Sequence, residues 1–410
     1  MVNKGIRISG HKEKKRINFA GVFFPLLIVF FIIFLLIYPS DALNAAYKGL
    51  DLWFRIVFPS LFPFFVATDL LNRTFIIKKA GVMLEPLMRP AFNIPGPGSF
   101  AFILGISSGY PVGAKITASL RKDGLLTNAE GDRLLSFSNN SGPVFIAGAV
   151  GTGIFHMPQA GLVLLGCHIL AGITVGLIFR FYKKGSDVSK SNKYMNIPVN
   201  VNTDTGFDMV LSFASAIKNS ILTVLVIGGY IIFFSVVLKM LINSGIIKQT
   251  ALLLSFLCKQ FGAGLPADLF EGMLGGIFEI TNGIGMIAKS EAPLLARFTA
   301  AGMIAGWGGF SVHSQVMGII SGTGLKLKPY LTGKAIHGLI AGILTALAFW
   351  LVFPLQGIEY TAVYSSQQTA VMATWLDVFF SSALIALVII CMGIIMESYY
   401  IFRKRINRSI

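Results

Sequence analysis

The sequence predicts an all-α polytopic membrane protein with about eight transmembrane helices and two re-entrant helical hairpins, arranged as two inverted repeats with broken helices. Of its 410 residues, 54% are hydrophobic and only 13% are charged. Soluble domains carry about 25% charged residues. Several apolar runs approach the roughly 20 residues that cross a bilayer as a helix. The 44 glycines exceed the usual share, and glycine lets membrane helices approach closely and break.

Apolar runs define the crossings. The uninterrupted runs are 19–38, 55–72, 160–181, 219–241, 335–353 and 375–397. Two further runs, 134–155 and 298–322, are long enough to span but contain polar residues and glycine. Segments 98–120 and 266–288 each place two apolar arms around a polar turn, so we predict hairpins that enter and leave on one side. Such backbone is tolerated at membrane depth only beside protein or a water-filled cavity.

The basic residues predict the orientation of the chain. In the eight-crossing topology, 25 of the 34 lysines and arginines lie in the cytoplasmic segments and 6 in the outer ones. These cytoplasmic segments are 1–18, 73–97, 121–133, 180–205, 323–334 and 402–410. Cytoplasmic loops of membrane proteins are enriched in these residues. The pattern therefore places both termini in the cytoplasm, and it attributes the net charge of +16 to membrane topology and not to nucleic-acid binding.

The two halves of the chain repeat one order of elements at an offset near 170 residues. Each half has a span, a partly apolar loop, a hairpin, a broken span and a Gly-rich span, and His168 and His337 come near the starts of the matching spans. Three crossings in the first half would invert the second. A chance similarity between Gly-rich membrane segments is the alternative.

This repeat predicts the organisation of the whole chain. The predicted units are a basic tail (1–18), a first helix with an outer loop (19–54), gate repeat 1 (55–182), a cytoplasmic linker (183–205), gate repeat 2 (206–353), an outer loop (354–374), and a last helix with a basic tail (375–410). Within the second repeat, 206–219 has an apolar face that predicts a short interfacial helix.

Helix starts match between the halves. Thr127 and Glu130 have the spacing of a capping box, in which each residue satisfies a backbone N–H of the first turn. In the second half, Ser290 offers a cap, with Pro293 in the first turn.

Polar residues inside the first half predict a binding site. The first hairpin has Ser108 and Tyr110 at its tip, and the first broken span places Asn139, Asn140 and Ser141 just before Gly-Pro. Proline removes a backbone donor and frees carbonyls, and carbonyls and amides can bind Na⁺ or a polar solute. Lys115, beyond the tip, either reaches the inner surface or faces a cavity.

The second half supplies another set of candidates. The second hairpin has Glu279, Thr281 and Asn282 at its tip, and the second broken span contributes Trp307, Ser311, His313 and Gln315. Glu279 is either a cation or substrate ligand or a carboxylate at the water boundary. Trp307 either stacks on a ring or anchors the helix at the interface. His313 either relays protons or binds substrate, or forms a hydrogen bond between helices.

No enzyme motif accompanies these residues. The sequence has no Walker A motif, no H-E-x-x-H motif and no nucleophile–His–acid set. Its five histidines do not combine with cysteines or acids at metal-binding spacing. We therefore expect no catalytic residue, no metal site and no cofactor, with Na⁺ or H⁺ as possible coupling ions. An intramembrane protease or lipid-modifying enzyme is the enzymatic alternative.

Three stretches carry a resemblance to a known family. "SGYPVGAKI" (108–116), "LLSFSNNSGPVFIAGAVGTGIF" (134–155) and "GIFEITNGI" (276–284) resemble the YlbJ-type sporulation integral membrane proteins of endospore-forming Firmicutes, over nearly the whole chain. The core is more distantly similar to the nucleoside-recognition or Gate domains of concentrative nucleoside transporters, the ferrous-iron transport gate and spore maturation proteins. The resemblance implies a protein of the bacterial cell membrane, in the sporangium, that is needed to form resistant spores.

The resemblance also implies where a site would lie. In the nucleoside transporters, hairpin tips and helix breaks bind the solute and a coupling ion. The matching places here are 108–111, 139–141, 279–282 and 306–315, although no residue matches the transporters' nucleobase or ribose ligands. Two functions follow as hypotheses. One is a secondary transporter or gated permease for a small polar solute; the other is a non-transporting scaffold that binds other sporulation membrane proteins. The expected partners include the lipid bilayer and exclude nucleic acid.

Overall fold

The computed structural model describes residues 19–72, 76–183, 209–262 and 264–352, and the secondary-structure elements in these residues are helices. The α-helices are α1 (Phe19–Ile37), α2 (Pro39–Leu52), α3 (Phe58–Asn72), α4 (Ile76–Phe92), α5 (Gly98–Ser108), α6 (Val112–Lys122), α7 (Asn128–Ser138), α8 (Pro158–Phe179), α9 (Met209–Asn243), α10 (Ile246–Gln260), α11 (Ala267–Phe278), α12 (Ile280–Ala288), α13 (Leu294–Trp307), α14 (Gly309–Ile320) and α15 (Leu327–Val352). Two π-helices, Trp53–Val57 and Val144–Ile154, complete the set.

Three of the described helices are long and apolar enough to cross a membrane. They are α8, most of α9 and most of α15, and they coincide with three predicted runs. The pair α1 and α2 passes the same test together but bends by 104° at Tyr38. The predicted last span, the outer loop 354–374, the first tail and nearly all of the 183–205 linker lie outside the described residues.

Segments that the sequence predicted as loops are helices instead. The outer loop 39–54 contains α2, and the partly apolar loops 73–97 and 242–265 contain α4 and α10. Helix α2 buries Ala42, Ala45 and Gly49, and Gly49 is so close to α9 that a Cβ there would lie 3.0 Å from the Cα of Ile232. Short helices gain most of their stability from tertiary packing, which the local pattern did not reveal.

Two predicted helix starts have different outcomes. The capping box is confirmed, because the Glu130 N–H donates to Thr127 Oγ1 at 3.2 Å and the Thr127 N–H donates to Glu130 Oε2 at 3.0 Å. The Ser290 cap is wrong, because its hydroxyl donates backwards to Ile287 O and helix α13 begins only after Pro293. The separate helix at 206–219 is also wrong: α9 continues unbroken to Asn243, since no proline interrupts it.

Both predicted hairpins form as pairs of helices that lie against each other. Hairpin one is α5 and α6, with a turn at 109–111 that includes the cis Tyr110–Pro111 bond. Hairpin two is α11 and α12, with a turn at Glu279 alone. Their arms touch through glycine backbone, where a Cβ on Gly105 would lie 3.2 Å from Gly113 Cα and Gly283 lies directly against Gly276.

Both broken spans are interrupted where the sequence predicted. Break one (139–142) separates α7 from the π-helix Val144–Ile154, with Pro143 at the start of the second arm. Break two is the single residue Gly308, which adopts φ +93° between α13 and α14.

Element boundaries recur along the chain at one spacing. His168 and His337 are 169 residues apart. The same separation relates the starts of α5 and α11 (Gly98, Ala267), the ends of α7 and α13 (Ser138, Trp307) and the starts of α8 and α15 (Pro158, Leu327). Buried side chains of both halves, including Ile146, Leu164, Ile284 and Ile304, share one apolar core beside the breaks.

Candidate functional site

Hairpin one holds break one in place. The carbonyl oxygen of Ser138, at the end of α7, lies directly against Gly105 and Gly113 on the two hairpin arms. The hydroxyls of Thr117 and Ser138 lie 3.2 Å apart, and a Cβ on Gly109 would lie 2.8 Å from Gly142 N. A hairpin without glycine at these positions could not approach the break this closely. The glycines therefore determine where the polar residues of break one lie.

A fully buried lysine contacts break one. Lys334 of α15 has no solvent-exposed surface, and its Nζ donates to Asn139 O at 3.0 Å and to His337 Nδ1 at 3.2 Å. The same Nζ lies 5.4 Å from the centroid of the Tyr110 ring. Among the described residues, no carboxylate forms an ion pair with Lys334. The helix break therefore accepts a hydrogen bond from a buried lysine that has no acidic partner among the described residues.

Two histidines pack on each other beside this lysine. The rings of His168 and His337 have centroids 4.4 Å apart. His337 Nε2 donates to the carbonyl of His168 at 3.0 Å, so its Nδ1 is free to accept from Lys334. His168 Nε2 accepts the backbone N–H of Ser141 at 3.2 Å, which places the hydrogen of a neutral ring on Nδ1. The hydrogen bonds thus define the tautomer of both rings.

Another set of hydrogen bonds joins break one to the second broken span. Asn139 Nδ2 donates to the Tyr330 hydroxyl at 3.2 Å, and that hydroxyl lies 3.1 Å from His313 Nδ1. With the hydroxyl donating to Nδ1, a neutral His313 carries its hydrogen on Nε2. Asn139, Tyr330 and His313 are all buried, so the two halves are linked by polar contacts inside the molecule.

The tip of hairpin one also reaches break two. The Tyr110 hydroxyl donates to Ala305 O at 2.9 Å. A Cβ on Gly308 would lie 2.9 Å from that hydroxyl, so glycine is needed there for space as well as for its left-handed backbone. Tyr110 therefore lies between the two breaks, with Lys334 above its ring.

Six buried polar atoms at this junction have no hydrogen-bond partner among the described residues. They are Ser108 Oγ, Asn139 Oδ1, Asn140 Oδ1, Ser141 Oγ, His168 Nδ1 and His313 Nε2. A buried unpaired polar group costs roughly 1–3 kcal/mol. The atoms include two amide acceptors, two ring nitrogens and two hydroxyls, so the junction has unpaired donors as well as unpaired acceptors. We call Ser108, Tyr110, Asn139, Asn140, Ser141, His168, His313, Tyr330, Lys334 and His337 the central cluster.

The other candidates of the second broken span lie around His313. The Trp307 ring is 4.3 Å from the His313 ring, and its Nε1 donates to Ile277 O of hairpin two at 3.3 Å. Trp307 therefore packs between helices, and its indole N–H forms a hydrogen bond within the protein. Ser311 and Gln315 are buried on α14, and no hydrogen bond among the described residues joins either to the central cluster.

The tip of hairpin two forms a separate set of contacts. The Glu279 carboxylate accepts the backbone N–H groups of Thr281 at 3.1 Å and Asn282 at 2.7 Å, which caps α12. The Asn282 amide donates to Ser235 Oγ at 3.1 Å and borders an open cleft of about 510 Å³ beside α2. Glu279 is buried but acts here as a helix cap, and no described hydrogen bond connects these three residues to the central cluster.

Lys334 differs from its predicted environment, and Lys115 contacts a neighbouring helix. Lys334 was counted among the cytoplasmic charges and is instead fully buried at the junction of both halves. Lys115 lies against α9, with its Nζ 3.4 Å from Thr223 Oγ1 and 5.9 Å from the Phe65 ring. Sequence reasoning also left out Tyr330, although Tyr330, Lys334 and His337 lie at helical spacing on one face of α15.

The chain is similar to a known protein over most of its length and to a family model over a shorter segment. The family model described as "Gate: Nucleoside recognition" matches residues 54–183. "Sporulation integral membrane protein YlbJ" of Bacillus subtilis (strain 168) is 34% identical over 365 residues, which cover 85% of this chain and 88% of that protein. No solved structure matches the chain. At this identity and coverage, the chain belongs to the YlbJ family of sporulation integral membrane proteins.

Proposed function

We propose that the protein is a secondary transporter or gated permease that moves a small polar solute with an acidic group across a membrane during sporulation. The observation that carries this proposal is the central cluster. It places six unpaired polar atoms and the buried side chain of Lys334 at and around a helix break. A bound solute would supply the missing partners, and a negative group on it would balance the charge of Lys334.

The proposed membrane arrangement follows from the recurring elements. We infer eight crossings, two re-entrant hairpins and both termini in the cytoplasm, with the second repeat inverted relative to the first. The 169-residue spacing of matching boundaries and the contact of His168 with His337 support this arrangement. Transporters of this plan bind solutes where broken helices meet near the midplane.

The Gate match is compatible with this proposal but does not select a nucleoside. The match covers hairpin one and break one, which are the elements that hold the central cluster together. In the described part of the chain, no carboxylate lies in the cluster to bind sugar hydroxyls, whereas the lysine favours an acidic solute.

If the protein is a scaffold, the residues that bind its partners would lie on its surface. Its natural docking segments are the 183–205 linker, the 354–374 loop and the termini. Two variants expressed in a spore-former that lacks its YlbJ separate the hypotheses: one with a scrambled linker and one with Asn140→Ala. We expect the scrambled linker to restore resistant spores and Asn140→Ala to fail, with equal amounts of both proteins in the membrane. The reverse result would support the scaffold and contradict transport.

A further inference from the structure

We infer that Lys334 is a tethered cation in the position where a transporter of this plan would hold a coupling Na⁺, so that this protein has no Na⁺ site at break one. The inference deepens the proposed function, on which it rests for treating the central cluster as a transport site. Carbonyls freed by an unwound helix are the usual ligands for such a coupling ion.

Three carbonyls at the end of α7 and the start of break one are already in contact with other groups. Asn139 O accepts from Lys334 Nζ at 3.0 Å, and Phe137 O accepts from the Asn140 side-chain amide at 2.7 Å. Ser138 O is enclosed between Gly105 and Gly113. A sodium ion bound to any of these three carbonyls would have to displace the contact that the carbonyl makes.

The geometry around Lys334 fits a charged ammonium group. An ammonium has three N–H donors and no acceptor. Three acceptors surround it: the Asn139 carbonyl, the Nδ1 lone pair of His337 and the face of the Tyr110 ring. His337 Nδ1 must accept, because Nε2 uses the ring hydrogen to reach the His168 carbonyl, which can only accept. A second cation beside Lys334 would be repelled, and no carboxylate in the described residues contacts it to reduce that repulsion.

The candidate that could have supplied a negative charge does not do so. Both carboxylate oxygens of Glu279 accept backbone N–H groups at the start of α12. The first half also lacks an equivalent lysine: the position 169 residues before Lys334 is Leu165, which is buried in the apolar core. The tethered cation is thus present once, at the break with the unpaired polar atoms.

The test measures cation binding without transport. The purified full-length protein in detergent is heated in NaCl, KCl or choline chloride of equal concentration, and the unfolding midpoint Tm is recorded. Three proteins are compared: the wild type, Lys334→Ala and the control Lys328→Met, which removes an exposed lysine of the same helix. We expect the wild type and Lys328→Met to have the same Tm in all three salts. Lys334→Ala should have a lower Tm that NaCl raises more than the other salts do.

Two results would overturn the inference. One is a Na⁺-specific increase of Tm in the wild type, which would show that Na⁺ binds beside Lys334. The other is a folded Lys334→Ala protein that does not respond to Na⁺. If Lys334→Ala does not fold, Lys334→Gln takes its place and the wild-type result still decides the first point. A wild type whose Tm rises in Na⁺ would contradict this inference but not the proposal of solute transport. Absence of any solute flux would contradict the proposed function, and the measured effect of the cations on Tm would remain valid.

Discussion

The two helix breaks occupy matching positions and differ in almost everything else. Asn139 and Gly308 are separated by the same 169 residues as the two stacked histidines. Break one exposes four residues of non-helical backbone to a lysine, a tyrosine and a histidine. Break two is formed by Gly308, which is packed against Tyr110, and both Gly308 and Gly309 have positive φ there.

This difference separates two roles. Break one carries unpaired amide oxygens, and the facing side of α15 carries the buried side chain of Lys334. Break two and hairpin two have small residues, a helix cap and close backbone contacts, which are features of packing. The polar contacts of the central cluster are therefore centred on break one, and the second half of the chain supplies His313, Tyr330, Lys334 and His337 to complete them.

The largest expected effect concerns the contact between hairpin one and break one. In Gly113→Ala, the new Cβ would meet the Ser138 backbone and lie 3.0 Å from Asn139 N. Overpacking against backbone costs about 1–3 kcal/mol or more, so we expect a strongly reduced yield of folded protein and a lower Tm in detergent. Gly285→Ala in hairpin two is the matched control, because its Cβ would meet no heavy atom within 4 Å. Equal behaviour of the two variants would contradict the described packing.

A second variant tests the polar link between the halves. In Tyr330→Phe, the Asn139 amide and His313 Nδ1 both lose their partner. Unpaired buried groups cost roughly 1–3 kcal/mol, and the unfolding free energy should fall by about that amount. Tyr230→Phe serves as control, because its hydroxyl is 3.5 Å from Ser314 O and should matter little. A Tyr330→Phe protein as stable as the control would show that this hydrogen-bond chain does not hold the breaks together.

The smallest expected effect concerns hairpin two. Glu279→Gln keeps one oxygen that can accept an N–H of α12 but loses the negative charge at the helix start. We expect the stability to fall by about 1 kcal/mol or less, and the variant should still restore resistant spores. Complete loss of spore resistance, with normal amounts of protein in the membrane, would instead make Glu279 part of the transport site.

The sequence predicted the interruptions well because they depend on local chemistry. Pro143 precedes the second arm of the first broken span, and Gly308 permits a backbone angle that other residues avoid, so both breaks fall where the sequence indicates. The capping box at Thr127 is likewise a property of four adjacent residues. Each of these features needs no information about the rest of the chain.

Whether a side chain is buried, and which group it contacts, depends on residues that are distant along the chain. Lys334 lies near a helix start and has the sequence pattern of a cytoplasmic charge, yet its hydrogen-bond acceptor Asn139 is 195 residues away. Glu279 was predicted either as a ligand or as a carboxylate at the water boundary, and the structure shows that its carboxylate caps α12. The helices α2, α4 and α10 were predicted as loops because their stability comes from the helices that they pack against.

The most direct test of the central claim compares small molecules in sporulating cells. Spore and sporangium fractions are analysed by mass spectrometry from strains that express the wild type, Lys334→Met, Glu279→Gln or no YlbJ. We predict that one acidic small molecule changes its distribution in the deletion strain, that Lys334→Met matches the deletion, and that Glu279→Gln matches the wild type. A Lys334→Met strain with the wild-type distribution, or no solute that differs between wild type and deletion, would contradict the account.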